Sequence, residues 1–221
     1  AVAIMHGSMI YAAAQSVRVG SLHLPGELQV PDAALGLVVF VHGSGSSRRS
    51  TRNQFVARVL RSFGLGTLLF DLLHEEEALD ATHVFDIELL GQRVLDALAW
   101  LEGCDDLAAH PVGLFGASTG AAAALRAAAR LPQCVAAVVS RGGRPDLAGS
   151  DLSAVRAPTL LIVGAEDPQV LALNQRAMRA MTCLRKLEIV PNAGHLFEEP
   201  GTLDVVASLA GHWFEQQFSR L

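Results

Sequence analysis

The stretch PVGLFGASTGAAAALRAAAR, Pro111 to Arg130, decides how this chain folds. It opens as an apolar strand, Pro111 to Phe115, passes through Gly116-Ala117-Ser118-Thr119-Gly120, and runs on into an alanine-rich helix, Ala121 to Arg130. A Gly-x-Ser-x-Gly where a buried strand meets a helix is the setting of a nucleophile elbow. The sharp turn exposes the serine Oγ at the helix N-terminus, and small flanking residues let strand and helix approach. Taken alone, the pentapeptide reads equally well as an ordinary glycine-rich turn. The alanines add helix propensity and allow close packing on a sheet.

Outward from this stretch, short β-branched runs alternate with segments of helical period, the pattern of a parallel sheet covered on both faces and hence of the α/β class. Upstream, Leu35 to Val41 is an unbroken apolar run that opens into His42-Gly43-Ser44-Gly45-Ser46. A helical stripe of Phe55, Val56, Val59, Leu60 and Phe63 precedes a strand at Thr67 to Asp71, and Ile87, Leu90, Val94, Leu98 and Leu101 form a second stripe. Before these, two strands, Val17 to Leu24 and around Glu27 to Val30, are read as an antiparallel edge turning at Pro25-Gly26. Downstream come strands at Cys134 to Ser140, Pro158 to Val163 and Arg185 to Val190, with a helix from about Gln169 to Met181 and a closing helix through Val206, Leu209 and Trp213.

Two further strand ends carry chemistry. Gly164-Ala165-Glu166-Asp167 follows the strand ending at Val163, and Asn192-Ala193-Gly194-His195 follows the last strand. By itself Asp167 reads as a turn residue or helix cap before Pro168. The order serine, acid, histidine, each at a strand's C-terminal edge, makes Ser118 the expected nucleophile, His195 the base and Asp167 its orienting acid. Histidine suits the task because its ordinary pKa near 6.5 lets it take and return a proton near neutrality. His42 is expected to brace its loop, and His83, His110 and His212 to be surface or packing residues.

An oxyanion also needs donors. The Thr119 amide is one; the loop after Val41 supplies the second, with Ser44 ahead of Gly45. That loop lacks the Gly-Lys-Ser/Thr ending of a nucleotide-binding loop. Arg48, Arg49 and Arg52 near it, and Arg141 and Arg144 after another strand, admit two readings: a grip on a substrate carboxylate, for which Arg48, Arg141 and Arg144 are the candidates, or solvated residues paired with Glu75, Glu76, Glu77 or Asp146.

Over nearly the whole chain from Val17 onward these residues resemble the α/β-hydrolase superfamily, and within it the dienelactone-hydrolase-like group. The narrower likeness rests on His42 to Arg48, Leu69-Phe70-Asp71-Leu72-Leu73 and Ser140-Arg141-Gly142-Gly143-Arg144-Pro145-Asp146. The resemblance implies an eight-stranded sheet, no metal or organic cofactor, and hydrolysis through an acyl-enzyme. The chain departs from dienelactone hydrolase itself in having serine where that enzyme has cysteine, so its lactone activity does not carry over. The stretch from Ser140 to Pro158 is too short for a large cap, which predicts an open site for a small acyl substrate.

Composition bounds the alternatives. A chain of 221 residues, 51% hydrophobic and 18% charged, builds one core; a net charge of -5 offers nothing to nucleic acid. No apolar run reaches the roughly 18 residues that span a bilayer, so no membrane partner is expected. Three cysteines without paired spacing argue against a disulfide framework or zinc site and for a reducing, cytoplasmic setting. Residues 1–16 are read as an extension lacking a secretory pattern, with His6-Gly7-Ser8-Met9 resembling a cloning remnant, and 17–221 as one α/β-hydrolase domain. The expected activity is cleavage of a small ester, thioester or lactone. The competing readings are an acyltransferase using the same triad, a non-catalytic binding protein on a hydrolase scaffold, and a thiol enzyme. The oligomeric state has no signature in the sequence.

Overall fold

The computed structural model describes residues 13–221, so the readings of His6 to Met9 and of residues 1–12 lie outside the described residues. Eight strands form one sheet in the order β1-β2-β4-β3-β5-β6-β7-β8. They are β1 (Gln15–Val19), β2 (Leu24–Gln29), β3 (Leu37–Val41), β4 (Gly66–Phe70), β5 (Val112–Ala117), β6 (Ala137–Arg141), β7 (Thr159–Gly164) and β8 (Arg185–Val190). β2 runs antiparallel to both β1 and β4, and every other pairing is parallel.

The central strands are apolar throughout because both faces are covered. Along β3, Leu37, Val39 and Val41 point into one apolar cluster and Val38 and Phe40 into the other. The first cluster is closed by α3 (Ile87–Glu102), α4 (Thr119–Arg130) and α5 (Pro168–Ala180); the second by α1 (Thr51–Ser62) and α6 (Thr202–Phe218). The alanines of α4 are nearly all buried, so this helix lies flat against the sheet. A short helical turn, α2 (Ala81–Val84), leads into α3, and the segment Pro145–Ala154, expected to be too short for a large cap, is 3-10 helix broken at Gly149. Among the described residues no helix is long and apolar enough to cross a membrane, and no cluster of three or more histidine, cysteine or acidic side chains could hold a metal.

One expectation is corrected. The first turn lies at Gly20 to His23, where the His23 amide donates to the Gly20 carbonyl at 3.1 Å and both residues have positive φ. Pro25 and Gly26 lie inside β2, opposite Arg18 and Val17. A β carbon on Gly26 would stand 3.0 Å from Val17 and Val19 methyl groups, so the glycine serves close packing rather than turning.

Candidate active site

Ser118 joins β5 to α4 with φ 51 and ψ -124, a conformation that costs a non-glycine residue about 1–3 kcal/mol. Its neighbours impose that turn. A β carbon on Gly116 would come 2.5 Å from Ala121 Cα, and one on Gly120 would come 2.1 Å from the Val41 carbonyl oxygen. Backbone bonds then hold the serine from the next strand: its amide donates to the Arg141 carbonyl at 3.2 Å, and its carbonyl accepts the Arg144 amide at 3.0 Å.

Asp167 and His195 are brought together. His195 Nδ1 lies 2.7 Å from Asp167 Oδ2, while Asp167 Oδ1 accepts the Val170 amide at 3.4 Å as the N-cap of α5. The cap of α5 and the partner of His195 are therefore one residue. The two loops are stitched by backbone: the Ala165 amide donates to Val190 and the Glu166 amide to Ala193, each at 2.9 Å. At Gly164 a side chain would collide with the Ala193 carbonyl, 2.1 Å from the β carbon position. His195 is 40% exposed and Asp167 only 14%, so the imidazole faces the open side of the site.

The loop after β3 packs directly on the elbow, with the β carbon position of Gly43 3.0 Å from Ser118 Cβ. Its Ser44 amide donates to Thr119 Oγ1 at 2.8 Å, while Gly45 has positive φ and open space around it. His42 does brace this loop. Its Nε2 accepts the Leu72 amide at 3.0 Å, which leaves the proton on Nδ1 to donate to the Gly43 carbonyl at 2.9 Å. Burial pushes the His42 pKa below its ordinary value, against the opposing pull of that carbonyl and of Asp71.

The arginines separate clearly. Arg48 gives its amide to Asp71 Oδ1 at 2.6 Å and its guanidinium to Asp71 Oδ2, pinning the loop to the end of β4. Arg144 forms a two-point pair with Asp146 at 2.9 and 2.8 Å, which raises its pKa. Arg52 meets Glu198 at 3.2 Å, and Arg49 is exposed. Only Arg141, of the three arginines considered for substrate, has no carboxylate partner among the described residues. It is 8% exposed, its Nη1 is buried without a hydrogen bond, and burial, with Arg52 adding like charge, lowers its pKa to about 10.

Sequence reasoning gave no role to Asp71, to the backbone clamp at Arg141 and Arg144, or to the Thr119 hydroxyl. The only available signal was Asp71 at a strand end. A cavity of about 240 Å³ beside the loop is lined in part by His42, Ser44, Leu72, Leu73, Val84 and Leu90. A larger one, about 440 Å³, opens at the opposite edge of the sheet, between Leu98, Val112 and Leu221, and none of the expected site residues lines it. Burial raises the Cys134 and Cys183 thiol pKa values, the wrong direction for a nucleophilic thiol.

The dienelactone hydrolase family profile matches residues 66–219. Two Mycobacterium tuberculosis proteins, from strains CDC 1551 and H37Rv and each named "Putative phosphoribosyl transferase", are 58% identical over 195 residues. That match takes in 88% of this chain but 44% of theirs, so the chain spans less than half the length of these relatives. The crystal structure of a dienelactone hydrolase from Anabaena variabilis superposes with a TM-score of 0.89 at 53% identity, covering 93% of this chain and 97% of that one. Est1E from Butyrivibrio proteoclasticus shares the fold at 14% identity, with a TM-score of 0.77 over 94% of this chain and all (100%) of its own. With the profile covering most of the chain and a relative of this identity matched almost end to end, the protein belongs to the dienelactone hydrolase family and has the α/β-hydrolase fold.

Proposed function

We propose that residues 17–221 are a single serine hydrolase domain that cleaves a small ester, thioester or lactone. The observation that carries the reading is the 2.7 Å pair between His195 and Asp167, held on stitched loops at the same sheet edge as the strained Ser118. His195 takes the Ser118 proton as Oγ attacks the carbonyl carbon; the tetrahedral oxyanion collapses, and the leaving alcohol or thiol takes that proton from the imidazole. Water repeats the cycle and releases the acid. Asp167 fixes the tautomer by accepting from Nδ1, and the Thr119 amide at the positive end of α4 meets the oxyanion.

The neighbouring cavity suits a small apolar group of the substrate, and Arg141 an anionic one. An unpaired buried guanidinium costs stability, and an arriving carboxylate or phosphate would offset that cost. Three free cysteines are compatible with a cytoplasmic location. Family membership supports the hydrolase class, and an acyl acceptor other than water would give an acyltransferase with the same residues.

The test is labelling with a fluorophosphonate probe followed by peptide mapping, with heat-denatured protein and Ser118→Ala as controls. Label on Ser118 in the native sample alone is expected. A folded protein that takes no label, and turns over no ester, sinks the reading in favour of a binding protein on a hydrolase scaffold.

A further inference from the structure

We infer that the second oxyanion donor is the Thr119 hydroxyl, acting as a relay for the Ser44 amide; this rests on the serine-hydrolase reading. An amide has one proton, and that of Ser44 is already given to Thr119 Oγ1 at 2.8 Å. While this bond stands, Ser44 can reach a substrate oxygen only by sharing that proton in a weaker bifurcated bond. A hydroxyl, by contrast, accepts and donates at once. Thr119 accepts from Ser44 and, among the described residues, gives its own proton to no protein acceptor.

Position favours the same role. Thr119 is the first residue of α4, directly after Ser118, and its Oγ1 lies between the elbow and the loop whose Gly43 abuts Ser118 Cβ. The residue is 6% exposed, so little water competes for the proton. Accepting the Ser44 bond polarises the O–H and strengthens its next bond, and the positive end of α4 acts in the same sense. Branching at Cβ restricts χ1, which holds the hydroxyl in place before substrate arrives. No proton is transferred: the hydroxyl donates a hydrogen bond as negative charge grows on the former carbonyl oxygen and recovers its resting state when the acyl-enzyme forms.

The experiment compares wild type, Thr119→Ser and Thr119→Val on a small aryl ester and on its thiono counterpart, whose sulfur is a poor acceptor. Valine keeps the shape and the backbone amide but removes the hydroxyl. The relay predicts a 10²–10³-fold fall in kcat for Thr119→Val with little change in KM, recovery to within about fivefold for Thr119→Ser, and a reduced ester-to-thionoester rate ratio in the valine variant alone. A loop-positioning role would lower both rates together and leave the ratio unchanged, which overturns the proposal. So does a valine variant as active as wild type or faster, because the freed Ser44 amide is then the direct donor. Fluorophosphonate labelling of Ser118 separates the two readings: labelled, active wild type with no valine effect sinks the relay alone, whereas unlabelled, inactive wild type sinks the hydrolase reading and the relay with it.

Discussion

Asp167 divides its carboxylate between two partners, His195 Nδ1 at 2.7 Å on Oδ2 and the Val170 amide at 3.4 Å on Oδ1. Helix capping and imidazole orientation thus fall on one residue, and substitutions can separate them. Asp167→Asn keeps a capping oxygen but presents the imidazole with the wrong partner. It should lower kcat about 10³–10⁴-fold with the melting temperature nearly unchanged. Asp167→Ala should lose the rate and also about 1 kcal/mol of stability. Steady-state kinetics beside thermal denaturation checks both, and loss of rate in Asp146→Asn instead would mean that the acid is misassigned.

Strain at the elbow should be measurable. Ser118→Gly relieves a non-glycine φ of 51, offsetting the entropy that glycine adds to the unfolded chain. Among inactive variants Ser118→Gly should therefore be at least as stable as Ser118→Ala in urea. An alanine variant more stable by 1 kcal/mol or more would mean that the turn is relaxed.

His42 sets a pH dependence. Its folded pKa lies below the ordinary 6.5, so below about pH 6.5 the unfolded chain binds the extra proton more readily than the folded one. Stability from this site is complete above that pH and falls as pH drops toward the folded value. His42→Gln should flatten the pH dependence of the urea midpoint as pH falls below about 6.5 while lowering stability at pH 7. An unchanged slope would assign the acid sensitivity elsewhere.

Arg141 should oppose stability and serve binding. Its charged form is disfavoured by burial, so Arg141→Met should raise stability by on the order of 1–3 kcal/mol. The same change should reduce kcat/KM on esters bearing a carboxylate about tenfold or more, with neutral esters little affected. Equal effects on both substrate kinds would rule out a grip on the carboxylate, and no effect on either would leave Arg141 only its main-chain bond to Ser118.

The parallel strands were legible because strands covered on both faces carry apolar runs that no exposed segment tolerates, as in Leu37–Val41. The edge was misread because Pro25 and Gly26 are turn signals locally, whereas the packing of Val17 and Val19 over Gly26 is a property of the assembled sheet. At the site, the adjacency of Asp167 and His195 followed from their strand ends. What escaped were contacts made by backbone, such as Ser118 to Arg141, or by pairs such as Ser44 and Thr119, 75 residues apart. A main-chain bond leaves no residue type to recognise, and the pairing of Arg48 with Asp71 rather than a nearby glutamate depends on which loop each strand end delivers.

The stitched loops at Gly164 to Asp167 and Pro191 to His195 have a consequence for redesign. Because Ala193 closes on Gly164 and Glu166, an insertion in either loop would displace Asp167 and His195 together, so these are poor places to diversify. The stretch from Glu75 to Phe85 contributes Ala78 and Val84 to the cavity rim and leaves Leu79 and Phe85 in solvent, making no backbone bond to the loops of Asp167 and His195. Libraries confined there to Ala78, Leu79 and Phe85, sparing Glu77 because it holds the buried Arg93 at 2.7 Å, should yield altered acyl-chain preference at undiminished folding yield, because these positions can vary without disturbing the loops of Asp167 and His195.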